Sequence, residues 1–194
     1  MISEAFTSPL QIFNQKVVTP PSVEPVSLEE VKAFNRIDSN DEDILITNFI
    51  EGSRQKLEDY LGKALIKQLI SVTFDEWVTE VIELPRPPLI SVVSIVTIDE
   101  DSIETIYASS NYFVSPETNQ VVIKQSCSWP VADRNCAGYR IYYYAGYGET
   151  PKSVPSKVRL AIMEWSALWY ETRIMDDIPE SVKARLRYFR KINI

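Results

Sequence analysis

The residues that could do chemistry in this chain are few, and their spacing matches no familiar catalytic or metal site. Cys127 and Cys136 are separated by eight residues, which fits no common zinc or redox motif. The chain has no histidine, which removes Ser-His-Asp and Cys-His catalysis and the commonest zinc ligand. The remaining residues still allow carboxylate-based hydrolysis, although the acids are scattered and no pair stands out, and we expect no cofactor or metal. We expect reduced thiols, with a disulfide within the loop as the alternative.

Charge is distributed unevenly along the chain. Of its 20 basic and 27 acidic residues, nine basic and five acidic lie in residues 152–194, so this segment carries +4 and residues 1–151 carry −11. Clamping DNA requires cations that neutralise phosphates, so the acidic part is a poor general DNA binder. This part could still present a surface that lies next to DNA without binding it.

Apolar runs in the chain are short. None approaches the roughly 20 residues that a membrane-spanning helix needs. The N-terminal sequence also lacks a basic flank followed by an apolar stretch. We expect a soluble protein that is intracellular when it is made, with no membrane partner.

Two helices are predicted near the N-terminus, after an extended, proline-rich arm in residues 1–25. Ser27 and Glu30 have the spacing of a capping box, which predicts the start of the first helix. The second helix has Asp41 as its expected N-cap and Gly62 as its stop. Its buried face is predicted to contain Ile46, Phe49, Ile50, Ser53, Leu57, Tyr60 and Leu61.

From about Leu69 the pattern changes to short segments rich in β-branched and aromatic residues, divided by polar turns. The gaps are too short for helical crossovers, so we expect an antiparallel sheet or a small sandwich. The sequence LPRPP at residues 84–88 predicts a stiff crossover, with Arg86 extended because a proline follows it. We expect this crossover to fix how the β-rich segment projects from the helical part.

The helical pattern returns near Pro155, with only Lys157, Glu164 and Glu171 forming a narrow polar stripe. Such a helix is either central to the core or covered on one flank by another subunit. A final helix is predicted to place Val182 and Leu186 on its buried face and to carry several basic residues.

Several of these segments, taken in order, resemble the head-tail connector (adaptor) proteins of long-tailed bacteriophages. The resemblance covers residues 18–173 and is carried by VTPPSVEPVSLEEVKAFNRID, DEDILITNFIEGSRQKLEDYLGKALI, LPRPPLISVVSI, YYAGYG and VPSKVRLAIMEWSALWYETR. It implies an α+β fold in which N- and C-terminal helices form a bundle with a β-rich antiparallel insertion. The expected parts are an arm (1–25), a helical body (26–68 plus 152–194) and a β-rich insertion (69–151).

The resemblance also implies a role without a catalytic site. Adaptor subunits form a ring, typically of twelve copies, beneath the portal protein of the filled capsid. The ring extends the DNA channel, through which the genome passes without specific binding, and offers a surface to the stopper or tail-completion protein. The expected location is the virion neck, after assembly in the host cytoplasm.

Three surfaces are candidates for this assembly. The subunit-interface candidates, which could equally be ordinary core, are Tyr142, Tyr143, Tyr144, Met163 and Tyr170. The channel-lining candidates, which could equally be helix caps, are Glu29, Glu30, Asp41, Glu42 and Asp43. The portal-docking candidates are Arg185, Arg187, Tyr188, Phe189, Arg190 and Lys191.

The basic C-terminal segment has a second interpretation. It could be a solvated helix end, whose cations the helix dipole stabilises. If it docks on the portal, deletion of residues 185–194 should weaken portal binding and leave the subunit folded.

A different class of function is the main alternative. The chain could be a β-rich module of a phage tail or baseplate that binds a carbohydrate or a protein. Trp77, Tyr112 and Trp129 would then be exposed along a groove, whereas an adaptor should bury its extra apolar surface between subunits.

Overall fold

The computed structural model shows four helices and two antiparallel sheets in residues 12–77, 80–175 and 177–190, which are the residues that it describes. The helices are α1 (Leu28–Asn35), α2 (Asp43–Leu61), α3 (Ser156–Thr172) and α4 (Glu180–Leu186). The strands are β1 (Ile12–Thr19), β2 (Gln68–Phe74), β3 (Val81–Glu83), β4 (Leu89–Ile98), β5 (Glu104–Tyr107), β6 (Tyr112–Ser115), β7 (Gln120–Ile123) and β8 (Tyr139–Ala145).

The predicted bundle of N- and C-terminal helices around a β-rich insertion is wrong. Strand β1 precedes α1 in the chain and pairs with β2, so residues expected in an extended arm join a sheet. The helices are therefore interspersed with strands, and the fold is mixed α/β with two antiparallel sheets. The prediction failed because β1 pairs with a strand that is distant in sequence, which its own residues do not reveal.

The contacts divide the chain into two compact units. The sheet unit takes its described residues from Met1–Pro20 and Gln68–Ala145. The helical unit takes its described residues from Pro21–Lys67 and Gly146–Ile194.

The larger sheet has five strands in the order β1-β2-β8-β4-β5, and the smaller sheet has the order β3-β7-β6. Every neighbouring pair is antiparallel. Alternate residues of the central strand β8 are buried, as expected for a strand with one face on a core. Phe74 stacks on Tyr139 with ring centroids 5.5 Å apart, and Trp77 packs against both rings.

The proline-rich crossover lies within the sheet unit, between β3 and β4, so it joins strands of the two sheets. Its two ends are held by Asn119, in the turn between β6 and β7. The backbone N–H of Leu84 donates to the Asn119 carbonyl at 2.8 Å, and that of Leu89 donates to Asn119 Oδ1 at 2.8 Å. The crossover therefore links strands of the two sheets, and its expected role in fixing how the β-rich segment projects from the helical part stays a prediction.

Two further features define the crossover. Arg86 has φ 52°, so the expectation of extended geometry there is wrong. The Tyr143 hydroxyl donates to the Pro85 carbonyl at 2.8 Å, which ties the crossover to the central strand. These hydrogen bonds fix the path of the backbone and outweigh the local preference of a residue before proline.

The helical unit has one apolar core to which all four helices contribute. Its fully buried members include Val31 of α1, Leu57 of α2, Trp165 of α3 and Leu186 of α4. Helices α2 and α3 also exchange a buried hydrogen bond between the hydroxyls of Ser53 and Ser166, 3.0 Å apart. The apolar face predicted for α2 is confirmed, with Tyr60 half-buried at its margin.

Some of the helix caps and ends that the sequence predicted are present in the structure. The capping box is confirmed, because the Glu30 N–H donates to Ser27 Oγ at 3.1 Å and the Ser27 N–H donates to the Glu30 carboxylate at 2.9 Å. Gly62 ends α2 with φ 64°, as predicted. The predicted N-cap at Asp41 is wrong, since α2 starts at Asp43 and Glu42 occupies the cap position. Asp41 instead accepts a hydrogen bond from Ser39.

Candidate functional site

The start of the basic C-terminal segment is fastened to the helical unit. Arg185 forms a two-pronged ion pair with Glu164 of α3, in which Nη1 lies 2.7 Å from Oε1 and Nη2 contacts Oε2. Leu186 is fully buried and Phe189 packs against the same core. Because deletion of residues 185–194 would remove these core side chains, we no longer expect that truncation to leave the fold intact.

The rest of this segment presents cations and an aromatic ring at the surface. The Arg187 guanidinium lies 5.1 Å from the Tyr188 ring centroid and donates to the Tyr188 hydroxyl at 3.1 Å, while Tyr188 is 85% exposed. The Arg190 guanidinium lies 5.3 Å from the Tyr60 ring. Lys191 is outside the described residues. Exposed arginine and tyrosine are the residue types that dominate binding at interfaces.

The three consecutive tyrosines lie in the central strand of the larger sheet and differ in burial. Tyr143 is fully buried, and burial raises the pKa of its hydroxyl. Tyr142 and Tyr144 are half-buried on the opposite face. The Tyr142 hydroxyl contacts Arg140 and Glu104, which form an ion pair with each other. Tyr142 and Tyr144 therefore share one partly exposed face of the sheet.

Met163 and Tyr170 lie on α3 and are both half-buried against the helical core. The Tyr170 hydroxyl donates to Glu42 Oε2 at 2.7 Å, and the Arg173 guanidinium lies 4.7 Å from the Tyr170 ring. Arg173 also forms an ion pair with Glu42 at 2.7 Å. These contacts bring one interface candidate and one channel-lining candidate together.

The acidic candidates act largely as helix caps and ion-pair partners. Hydrogen bonds from Arg173 and then Tyr170 lower the pKa of Glu42. Glu30 caps α1 and contacts Arg159 of α3. Asp43 forms an ion pair with Lys32, and its carboxylate lies 2.7 Å from the Lys32 ammonium. Glu29 and Asp41 are exposed.

The aromatic residues of the alternative function do not form a row on the surface. Trp77 and Tyr112 are buried, and of the three only Trp129 is exposed. Trp129 lines a groove of about 420 Å³ in the sheet unit together with Thr97, Tyr107 and Val131. A carbohydrate platform of the expected kind would require exposed faces on all three rings.

A buried charge network in the helical unit was not predicted. Arg54 and Glu58 are almost completely buried in α2, with Arg54 Nη1 2.9 Å from Glu58 Oε2 and Nε 2.7 Å from Glu24. Glu58 also accepts the backbone N–H of Leu65 at 2.7 Å. The signal was available, since Arg54 and Glu58 are four residues apart on the face that carries Ile50, Leu57 and Leu61.

The described residues contain no cluster placed to hold a metal ion and no helix that could span a membrane. No group of three or more cysteine, aspartate or glutamate side chains is placed to hold a metal ion in residues 12–77, 80–175 and 177–190. The helices in these ranges are too short or too polar to cross a bilayer.

The fold is similar to that of neck proteins from gene transfer agent (GTA) particles. A chain from the neck of an empty GTA particle, computed with C6 symmetry, is 19% identical, covers 93% of this chain and 97% of its own, and has a TM-score of 0.79. A chain from the virion of a native GTA particle is 20% identical over 93% and 96% of the two chains, with a TM-score of 0.76. A chain from the neck of the native particle, computed with C12 symmetry, is 19% identical over 93% and 97%, with a TM-score of 0.74. At this identity the likeness shows the fold.

A family model identifies the sequence more directly. The model of the phage gp6-like head-tail connector proteins matches residues 25–126, which is more than half of the chain. No curated protein sequence matches. The matched range contains α1, α2 and all strands from β2 to β7. The chain belongs to the phage gp6-like head-tail connector protein family and is a structural protein of the virion that connects head and tail.

Proposed function

We propose that this connector forms a ring of twelve copies beneath the portal protein, extends the DNA channel and joins the capsid to the stopper or tail-completion protein. The family match over residues 25–126 carries this proposal. The likeness in fold to chains of GTA necks, reconstructed with C6 and C12 symmetry, supports the cyclic arrangement, and the C12 reconstruction is the reason for proposing twelve copies.

A closed ring needs two different patches on each subunit that fit each other. We propose that the partly exposed Tyr142 and Tyr144, together with Met163 and Tyr170, contribute to these contacts. Tyrosine suits such a position because its ring buries apolar area while its hydroxyl keeps a polar partner. Tyr143 is fully buried and would act by supporting the strand.

The ring can be tested by mixing the purified protein with its portal and imaging the product by electron microscopy. We expect a twelvefold ring on one face of the portal, even if the free protein is monomeric. Portal particles that stay bare at saturating concentrations of the protein would contradict the proposal.

We propose that the basic C-terminal segment docks on an acidic portal surface. The residues proposed for this contact are Arg185, Arg187, Tyr188, Phe189, Arg190 and Lys191. Replacing Arg187 with Glu and Tyr188 with Ala should weaken portal binding by at least about tenfold, because exposed arginine and tyrosine side chains dominate interface energies. The fold should be retained, since Leu186 and Phe189 are left in place. Sedimentation with the portal measures the effect. Lys157→Glu is the control, and equal binding by both variants and the wild type would reject docking by this segment.

We propose that the acidic residues at the starts of α1 and α2 face the channel, where their repulsion of the DNA phosphates prevents binding. These residues are Glu29, Glu30, Asp41, Glu42 and Asp43. The assembled ring should therefore not retain duplex DNA at physiological salt. Replacing the exposed Glu29 and Asp41 with Lys should cause retention that falls as salt is raised. A DNA-binding assay on the ring measures this, with Glu117→Lys in the sheet unit as the control. Tight binding by the wild-type lumen would contradict the proposal.

A further inference from the structure

One stretch of the larger sheet has an edge that no described strand covers. Strand β4 pairs with β8 from Leu89 to Thr97, but on its other side β5 pairs only with Ile95 to Ile98. Within the described part of the chain, residues 90–94 therefore have a strand on one side only. We call residues 90–94 the open edge.

The open edge is neutral and carries exposed apolar side chains. Its sequence, ISVVS, contains no charge and no proline, which are two of the features that protect edge strands from pairing. The register against β8 shifts at two places, which makes Ile90 and Val93 extra residues in the strand. Both are exposed, Ile90 by 36% and Val93 by 52%. A bulge re-aims a side chain, and here it directs two β-branched residues to the surface.

The opposite edge of the same sheet has the same feature. Strand β1 is the edge strand there, and its register against β2 shifts between Val17 and Thr19. Val18 is the extra residue and is 44% exposed. Each of the two edges therefore has a bulge that exposes an apolar side chain, although β1 also carries the exposed Lys16. The two edges cannot meet each other within one copy, because β2 and β8 lie between them.

The strand directions fit an association between copies. Strands β1 and β4 run in opposite directions, because each step from β1 through β2 and β8 to β4 is antiparallel. A rotation about an axis along the strands preserves strand direction. The β1 strand of a rotated copy would therefore meet the open edge antiparallel, as every other pair in the sheet does.

We propose that the open edge of one subunit binds strand β1 of the next, so that the five-stranded sheets of neighbouring copies join edge to edge. The partner that binds the open edge is a second copy of this chain, because the edge that fits it, strand β1, lies on the opposite side of the same sheet. The contact is heterologous, since it joins two different surfaces. Such strand addition supplies backbone hydrogen bonds, and the bulged Val18, Ile90 and Val93 would supply apolar contact. The inference rests on the proposed ring and adds the surfaces that would close it.

A charge-swap experiment tests this contact in rings assembled on the portal. The substitutions Val18→Glu and Val93→Lys should each reduce the amount of ring by about tenfold, because each puts an unpaired charge into the contact. The two substitutions combined in one chain should restore at least part of the ring, since opposite charges then meet between copies. Val131→Lys, at a 78% exposed position of the same unit, is the control. Unfolding curves should stay unchanged, because all three positions are exposed.

The outcomes separate this inference from the proposed function. If the wild type forms rings and both single variants form them equally well, the edge contact is overturned and the ring stands. If the single variants fail and the combined variant is not restored, β1 of a second copy is not the occupant and the inference is also overturned. If the wild type forms no ring on the portal, the proposed function fails, and the edge contact fails with it.

Discussion

Replacing Arg54 with Met is expected to lower the free energy of unfolding by about 3–5 kcal/mol, the usual cost of removing one partner from a buried ion pair. Arg54 lies between Glu58 and Glu24, and its loss removes a close cation from the buried Glu58 carboxylate. Burial alone would lower the pKa of Arg54, but the charges of Glu58 and Glu24 raise it overall. Denaturant unfolding followed by circular dichroism measures the change.

An exposed ion pair provides the control for this substitution. Lys183 and Glu180 are three residues apart on α4, with 2.8 Å between the ammonium and the carboxylate. Because water screens this pair, Lys183→Met should leave the unfolding midpoint unchanged within error. If Arg54→Met has as little effect as the control, the network does not stabilise the helical unit.

Replacing Gly146 with Ala is expected to cost about 3 kcal/mol or more, since backbone strain and overpacking add at one position. Gly146 has φ 136°, a conformation that residues with a side chain rarely adopt. A Cβ atom there would lie 2.5 Å from the Ile66 carbonyl carbon and 2.6 Å from the Lys67 nitrogen. The two segments cannot separate easily, because Tyr147 donates to the Leu65 carbonyl and Lys67 to the Gly148 carbonyl.

Gly62→Ala is the comparison for Gly146→Ala. Gly62 has φ 64° at the end of α2, where a left-handed residue with a side chain costs about 1 kcal/mol. Thermal or denaturant unfolding of both variants gives the difference. Equal effects of the two substitutions would mean that the close approach to Ile66 does not matter, and that the YYAGYG segment needs glycine for its dihedral angles alone.

Local signals were sufficient to predict most helices. The capping box at Ser27 and the stop at Gly62 depend on atoms within a few residues, and both are present in the structure. The apolar spacing of α2 likewise predicted which side chains are buried, including Ile46 and Leu57. An apolar pattern that repeats every turn indicates which face of a helix is buried.

Non-local contacts were not predictable in the same way. Among the described residues, strand β1 pairs with β2 alone, and most of its side chains from Asn14 to Thr19 are exposed, so its sequence did not reveal the pairing. Arg86 adopts φ 52° in a crossover held from outside by Asn119 and Tyr143. The ion pair of Arg185 with Glu164 joins α4 to α3 in a similar way. Such contacts depend on where distant segments meet.

For the candidate surfaces, the sequence predicted the residue types but not how exposed each residue is. The sequence predicted tyrosines and cations at sites of assembly, but their burial depends on the fold. Tyr143 and Tyr188 are both tyrosines, yet one is fully buried and the other is 85% exposed. The buried pair of Arg54 and Glu58 was visible as an i, i+4 pair on an apolar face, and only the fold shows that Glu24 completes it.

The most direct test of the connector role is a cryo-EM reconstruction of the neck in intact virions, calculated without imposed symmetry. We expect twelve copies of this chain in one closed ring between the portal and the next tail component, with the DNA channel passing through the ring. A reconstruction in which the chain occurs as an isolated copy on the periphery, or elsewhere in the particle, would contradict the account.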